Sequence, residues 1–580
     1  MLYHQVPKKI ILRPRPSAAP PLTTDFPLLT RIYQARGVKD AVELERSLIR
    51  LPAPSLLPGM NTMVERLAAA LREKRKILIV ADFDADGATS CALAIKGLRA
   101  LGAVDPVFIV PNRFEYGYGL TPEIVALAAQ QNPDVLLTVD NGISSLEGVA
   151  AAKARGWTVL ITDHHLPGAQ LPTADAIVNP ALPGSAFPSY ALAGVGVMFY
   201  VLMALRQHLR AQDWFNAARP EPNLGQWLDL VALGTVADVV PLDEVNRILV
   251  YQGLQRIRSG ACCPGLQALI SVAGRDRDRL TAADLGFAVA PRLNAAGRMD
   301  DMTWGIECLL SEHQAHALML AQQLDELNRE RREVEARMKQ EALVLLERLT
   351  GFDAQHVPAG VCLYDEQWHQ GVIGILASRI KDRLHRPVIA FAPSDNGELK
   401  GSARSIPGLH IRDVLSDIAA AHPKLLEKFG GHAMAAGLSL KRCNYPPFAL
   451  AFDEAVTARL VDVDLDHKIY SDGELTADLL TLETAERLRA AGPWGQGFPE
   501  PLFHGEFDVV QARVVAQHHL KLVLRLDAQS PLIEAIVFYI EQPERWLGTR
   551  RVLAVYALDI NDYQNRQSLQ LVIEYLQKLA

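Results

Sequence analysis

KILIVADFDADG (76–87) joins an apolar, β-branched run to three aspartates and a glycine, and the whole chain is organised around it. Four similar runs follow: VFIV (107–110), VLLTV (135–139), TVLIT (158–162) and AIVN (176–179). Short apolar strands separated by helical stretches predict a parallel α/β sheet, whose strands are buried on both faces and lack a polar side. Ligands of such sheets bind beyond the carboxyl ends of the strands, so the residues after each run carry the functional information. KILIVA leads into Asp82, Asp84 and Asp86, VLLTV into Asp140 and Asn141, and TVLIT into Asp163, His164 and His165. All three groups are expected to line one crevice.

Side chains alternate with period two along an extended strand, so Asp82, Asp84 and Asp86 are expected to project from one face. Carboxylates held that close repel one another unless a cation neutralises them, and hard divalent ions take oxygen ligands. Asp140, His164 and Asp238, the last from LGTVADVVPL (233–242), complete a mixed oxygen and imidazole set suited to two Mn²⁺ or Mg²⁺ ions. An aspartate at a strand end also has a plain structural use as a helix cap, for which Asp86 before Gly87 is the candidate.

The rest of the chain places this centre in a larger protein. A length of 580 residues exceeds what one hydrophobic core accommodates, so several domains are expected. The formal charge of −7 gives no general basic signature, but a local stripe of Lys and Arg suffices to bind a nucleic-acid backbone. Six cysteines without CxxC spacing argue against a disulfide framework or zinc ribbon and for a reducing cytoplasm. No signal peptide is read at the N-terminus, and Ala191–Leu205, interrupted by Gly194 and Gly196, is read as a buried helix rather than a membrane span.

Gln314–Leu349 lacks Gly and Pro and predicts one connecting helix, about 54 Å long at 1.5 Å per residue. Residues 360–392 alternate strand, helix and strand, which predicts a second, smaller α/β domain. GGHAMAAG (430–437) is read as a glycine-rich turn ahead of a helix. From Phe503 to Leu579, KLVLRL, EAIVFYI and RVLAVYALDI follow period two, the pattern of a small β-barrel.

Arg113, Arg292, Arg298, Arg379 and Arg404 each lie close to glycine or other small residues, where a guanidinium and open backbone amides can meet a phosphate together. They form a candidate phosphate track. Trp494, Phe498, Phe503, Phe538, Tyr539, Tyr556 and Tyr563 are candidates for base stacking, with core packing expected for most.

DFDADG (82–87), VDNG (139–142), Asp163-His164-His165 and GTVADVVPL resemble the four motifs of the DHH phosphoesterase superfamily. PNRFEYGYGL (111–120), APRLNAAGRM (290–299), QWHQGVIGILASRI (367–380), GSARS (401–405) and GGHAMAAG extend the likeness to its RecJ exonuclease branch. One departure is Val80, where many members of the superfamily carry histidine.

The resemblance implies a DHH domain (61–313) after an N-terminal segment (1–60), a connecting helix (314–350), a DHH-associated domain (351–465) and an OB-fold with its linker (466–580). It implies a two-metal 5′→3′ exonuclease on single-stranded DNA in recombination and repair. Asp82, Asp84, Asp86, Asp140, His164 and Asp238 are the implied metal ligands. Asp140, Asp163, His164 and His165 are the implied catalytic group, with Asp163 and His165 acting on the phosphate or supporting the liganding imidazole. Arg113, Ser402 and Arg404, with Arg292 or Arg298, are implied to hold a 5′ phosphate, and Tyr118 to stack on a base. Asn294, Arg379, Gly430, Gly431 and His432 complete the nucleic-acid contacts. Implied partners are a single-strand-binding protein and a helicase, with no membrane, for a cytoplasmic monomer. Two other readings stand beside this one: a phosphodiesterase or pyrophosphatase for small substrates, and a replication scaffold without catalysis.

Overall fold

The computed structural model describes residues 8–14, 22, 24–112, 116, 119–350, 358–394, 397–460, 468–563 and 566–579. The chain divides into two compact units: Leu12–Asn328 with Ser471–Ala580, and Met1–Ile11 with Arg329–Tyr470.

The larger unit is built on five parallel strands: β1 (Ile77–Ala81), β2 (Val107–Ile109), β3 (Val135–Val139), β4 (Thr158–Thr162) and β5 (Ala176–Val178), in spatial order β2-β1-β3-β4-β5. Every residue of β1 and β3 is buried, as expected of strands covered on both faces. The strand order reverses between β1 and β3, and this switch point opens a crevice at their carboxyl ends. Four helices supply its walls: α1 (Ala85–Leu101), α2 (Gly194–Arg210), α3 (Leu228–Ala237) and α4 (Ala290–Met299). The apolar stretch containing Gly194 and Gly196 is the buried start of α2, and among the described residues no helix is long and apolar enough to cross a membrane.

The C-terminal part of this unit is a closed five-stranded barrel in the order Phe503–Val515, His519–Arg525, Ile533–Val537, Arg566–Lys578, Arg551–Tyr563. Phe503, Phe507 and Tyr556 fill its core, whereas Phe538 and Tyr539 are exposed. Trp494 and Phe498 stack on each other and on Tyr33 of the N-terminal segment, so they too are packing residues. Arg36 adds a buried two-pronged bond to Asp472, at 2.9 and 3.0 Å.

A helix spanning Gln314–Thr350 runs unbroken through the stretch predicted as a connector. The smaller unit contains a five-stranded sheet in the order Lys428–Gly431, Ala435–Lys441, Glu398–Arg404, Val388–Pro393, Val361–Tyr364. GGHAMAAG is not a turn before a helix: Lys428–Gly431 and Ala435–Lys441 pair as an antiparallel hairpin. The glycines suggest a loop, but AAGLSLK is a strand whose Ala436, Leu438 and Leu440 enter the core. All six cysteines are free.

Candidate metal centre

The three aspartates after β1 converge for a different reason from the strand alternation expected above. The strand ends at Ala81, and Asp84 is the N-cap of α1. Its Oδ1 accepts the Asp86 and Gly87 amides at 3.0 Å each. The capping use anticipated for Asp86 therefore falls to Asp84. Asp86, inside the first turn of α1, points across to the start of α2, where its two oxygens accept the Gly194 amide at 2.6 Å and the Val195 amide at 3.0 Å. A strand-to-helix turn, and not a strand face, gathers the carboxylates.

Asp140 enters from the end of β3 in a left-handed conformation, φ 63°, which is uncommon for a residue with a side chain. Asn141 fixes that corner by donating through Nδ2 to Val80 O at 3.1 Å and Val139 O at 2.9 Å, clipping β1 to β3 at the switch point. Beyond β4, Asp163 is fully buried and accepts the amides of Ile143, His164 and His165. Its Oδ1 also lies 2.8 Å from His165 Nδ1, which fixes that ring. His164 Nε2 stands 3.1 Å from Asp140 Oδ1 and 3.4 Å from Asp238 Oδ2.

Three sets of ligand atoms lie within 4.8 Å of one another: Asp82, Asp84 and Asp140; Asp86, His164 and Asp238; Asp140, His164 and His165. Asp140 belongs to the first and third sets and His164 to the second and third, so neighbouring sites share ligands. The electrostatics require positive charge here. Burial pushes the Asp140 carboxyl well above the usual range, and the charged neighbours acting on it, Asp86, Asp84, Asp82 and Asp238, all raise it further. Burial and then Asp84 bring Asp86 to about 7, and burial with Asp86 and Asp84 also raises Asp238. Burial opposes charge on His165, yet the hydrogen bond and charge of Asp163 bring the imidazole up to about 9. Burial likewise opposes charge on Asp163, but the same pairing leaves it below the usual range. Five carboxylates and an imidazole, with like-charge neighbours raising the buried members, fit divalent cations of the Mn²⁺ and Mg²⁺ kind.

A proton linkage follows. An unfolded Asp86 loses its proton near the ordinary carboxylate value, whereas the folded, metal-free one keeps it up to about 7. The folded state then holds more protons across that window, so this group lowers the stability of the metal-free protein as pH rises through it. Cation binding needs the ionised form and removes that penalty. The gain in Tm on replacing EDTA with about 1 mM Mn²⁺ is expected to be larger near pH 8 than near pH 5.5. Equal gains in thermal melts at both pH values would contradict the assignment.

Asn294, placed among the nucleic-acid contacts on sequence, has its Oδ1 on the Ala85 amide at 2.9 Å and braces the carboxylate turn. The Gly194 and Val195 amides, the clip that Asn141 makes between two strands and this use of Asn294 lie beyond the sequence reading. Gly194 within an apolar run was the available signal for the first. Arg292 pairs with Asp325 at 2.7 Å, and Arg298 lies in the last turn of α4.

In the smaller unit, Arg404 donates to Ser402 Oγ at 3.0 Å, and Gly437 of the hairpin pairs with Ser402. Gly374, at the start of the helix Ile373–Leu384, meets them closely: a Cβ there would fall 2.8 Å from Arg404 Nη2. Gly430 and Gly431 lie on the first hairpin strand, the His432 amide donates to Ala435 O, and Arg379 pairs with Glu335. Arg113 and Tyr118 fall outside the described residues.

A carboxylate and histidine cluster at the switch point of a parallel sheet defines a divalent-metal phosphoesterase centre, and residues 76–235 match the DHH family N-terminal domain. The DHHA1 domain matches 357–458 and the RecJ OB domain 471–575. The single-stranded-DNA-specific exonuclease RecJ of Dickeya dadantii is 53% identical over 570 residues, 97% of this chain and 98% of the relative. The Escherichia coli protein of the same name is 51% identical over 552 residues, 94% and 95% of the two chains. RecJ from Thermus thermophilus, crystallised with Mn²⁺, superposes with a TM-score of 0.78 at 29% identity, covering 96% of this chain and 76% of that one. The chain belongs to the RecJ family.

Proposed function

We propose that this protein is a single-stranded-DNA-specific exonuclease that removes nucleotides from the 5′ end, serving DNA recombination and repair. The observation that carries the reading is the gathering of Asp82, Asp84, Asp86, Asp140, Asp238 and His164 at one sheet switch point in a RecJ-family chain.

These six residues would hold two divalent ions, Mn²⁺ or Mg²⁺, and Asp140, which belongs to two of the ligand sets, would be central to both. The ions, when bound, supply an activated water and neutralise charge on the phosphate and the leaving oxygen. Hydrolysis joins a water oxygen to phosphorus and breaks the bond from phosphorus to the 3′ oxygen, which leaves with a proton. Asp163 holds the His165 ring and favours its protonated form, the form suited to contact the phosphate or to protonate the departing oxygen. Asn294 and the α2 amides keep the carboxylates in place.

For polarity, Arg113 with Arg292 or Arg298 in the larger unit, and Ser402 with Arg404 in the smaller, are each assigned to 5′-phosphate contact, and Tyr118 to base stacking. Arg379, Gly430, Gly431 and His432 follow the strand's backbone. The working division of the chain is 61–313 for catalysis, 314–350 as connector, 351–465 for strand binding and 466–580 as OB domain with its linker. A single-strand-binding protein and a helicase are the assigned partners of a cytoplasmic monomer, a location that suits six free cysteines.

Single-stranded DNA labelled at either end, its duplex and a linear dinucleotide, each incubated with Mn²⁺, Mg²⁺ or EDTA, test the reading. Metal-dependent release of the 5′ label from single strands alone is expected. Intact strands beside hydrolysed dinucleotide would move the assignment to a small-substrate phosphodiesterase.

A further inference from the structure

Three large apolar side chains stand in solvent on segments that build the metal centre. Leu166, next to His165, is 63% exposed; Val239, next to Asp238, is 64% exposed; Phe287 is 86% exposed. The segments of Leu166 and Val239 meet at the centre, where His164 Nε2 is 3.4 Å from Asp238 Oδ2. Phe287 sits in a π-helical turn, Leu285–Val289. Its neighbour Gly286 lies against α3, where a Cβ would come 3.2 Å from Val236 Cγ1, two residues before Asp238. The π-turn continues into α4, whose Asn294 holds the Ala85 amide and whose Gly297 leaves no room for a Cβ beside Phe83 O. Phe287 is thus mounted on a rod braced against the Asp82–Asp86 turn and against α3.

Two of these side chains stand on uncommon backbone. Val239 has φ 59°, a conformation that β-branched residues strongly disfavour, and π-turns are rare inside helices. Strained or irregular backbone clusters at active sites and ligand clamps.

We propose that Phe287 is an apolar ledge that stacks on an unpaired base of the strand whose phosphate occupies the metal centre. The inference rests on the nuclease reading above and adds a source of substrate selectivity. A base carries a π-face whatever its identity, so stacking grips any sequence. Inside a duplex both faces of a base are covered by its neighbours, so behind the terminal pair the ledge finds a partner only on a single strand.

The test uses the full-length protein and 5′-phosphorylated single strands carrying one abasic site at successive positions from the 5′ end. With the parent, an abasic site at one position is expected to raise KM about tenfold with kcat little changed, the scale of one lost base stack. Phe287→Ala is expected to raise KM about tenfold on the intact strand and to become indifferent to the abasic site there, while Phe287→Trp restores the discrimination. Parent-like discrimination by Phe287→Ala, or indifference of the parent to every abasic position, would overturn the ledge. A large loss of Tm in Phe287→Ala would also count against it, because a side chain so exposed has little structural work. The nuclease reading is judged separately, by whether the parent degrades the intact strand.

Discussion

Asp140→Asn is expected to lower hydrolysis of single-stranded DNA by about a thousandfold or more, ~4 kcal/mol of transition-state stabilisation, at any Mn²⁺ or Mg²⁺ concentration. Asn is the informative replacement. It keeps the size of the side chain and tolerates the left-handed φ of 63°, whereas Ala would add backbone strain to the loss of charge. The variant should remain folded. Burial and then Asp86, Asp84, Asp82 and Asp238 all disfavour the ionised Asp140 in the metal-free protein, so removing its charge relieves repulsion. The Tm in EDTA is therefore expected to equal or exceed that of the parent, while the Mn²⁺-dependent gain shrinks. Single-turnover cleavage with a gel-shift control for DNA binding separates lost chemistry from lost substrate. Turnover within about tenfold of the parent would remove Asp140 from the centre of the mechanism.

The contrast between the two α/β regions shows what the sequence could carry. Buried parallel strands are near-continuous apolar runs, and KILIVA, VLLTV and TVLIT display them openly, so the sheet and the residues beyond its strands were legible. The ligand types were legible for the same reason. How they converge was not, because the decisive contacts link residues far apart in the chain: Asp86 with Gly194, 108 positions on, and Ala85 with Asn294, 209 positions on. Strand periodicity placed Asp82, Asp84 and Asp86 on one face, yet Asp84 caps a helix and ends the strand's alternation before Asp86. The hairpin at 428–441 failed differently. Its glycines read as loop signals although Ala436, Leu438 and Leu440 take alternate positions toward the core, and Gly431 has φ 146°, extended beyond ordinary side-chain preference.

Gly194→Ala gives the second large effect, at a position whose part in the site came from the structure alone. A Cβ on Gly194 would stand 2.6 Å from both Cβ and Oδ1 of Asp140, on the residue whose amide donates to Asp86 at 2.6 Å. The conflict lies at the root of the Asp140 side chain, which cannot swing clear as a long side chain can. Either Asp140 or the start of α2 must shift, and displacement of a reacting group by about 1 Å costs on the order of a hundredfold in rate. A fall in kcat of about that size, with weaker Mn²⁺ binding by titration calorimetry, is expected. Helix propensity predicts the opposite sign, since Ala in place of Gly stabilises a helix by about 1 kcal/mol. Gly196→Ala isolates that contribution: the three atoms nearest its Cβ would all belong to Leu192, the closest at 3.3 Å. Gly196→Ala is accordingly expected to keep activity near the parent level. If Gly194→Ala did the same, Asp140 would have room to move, and the close packing of α2 against the metal ligands would have no part in catalysis.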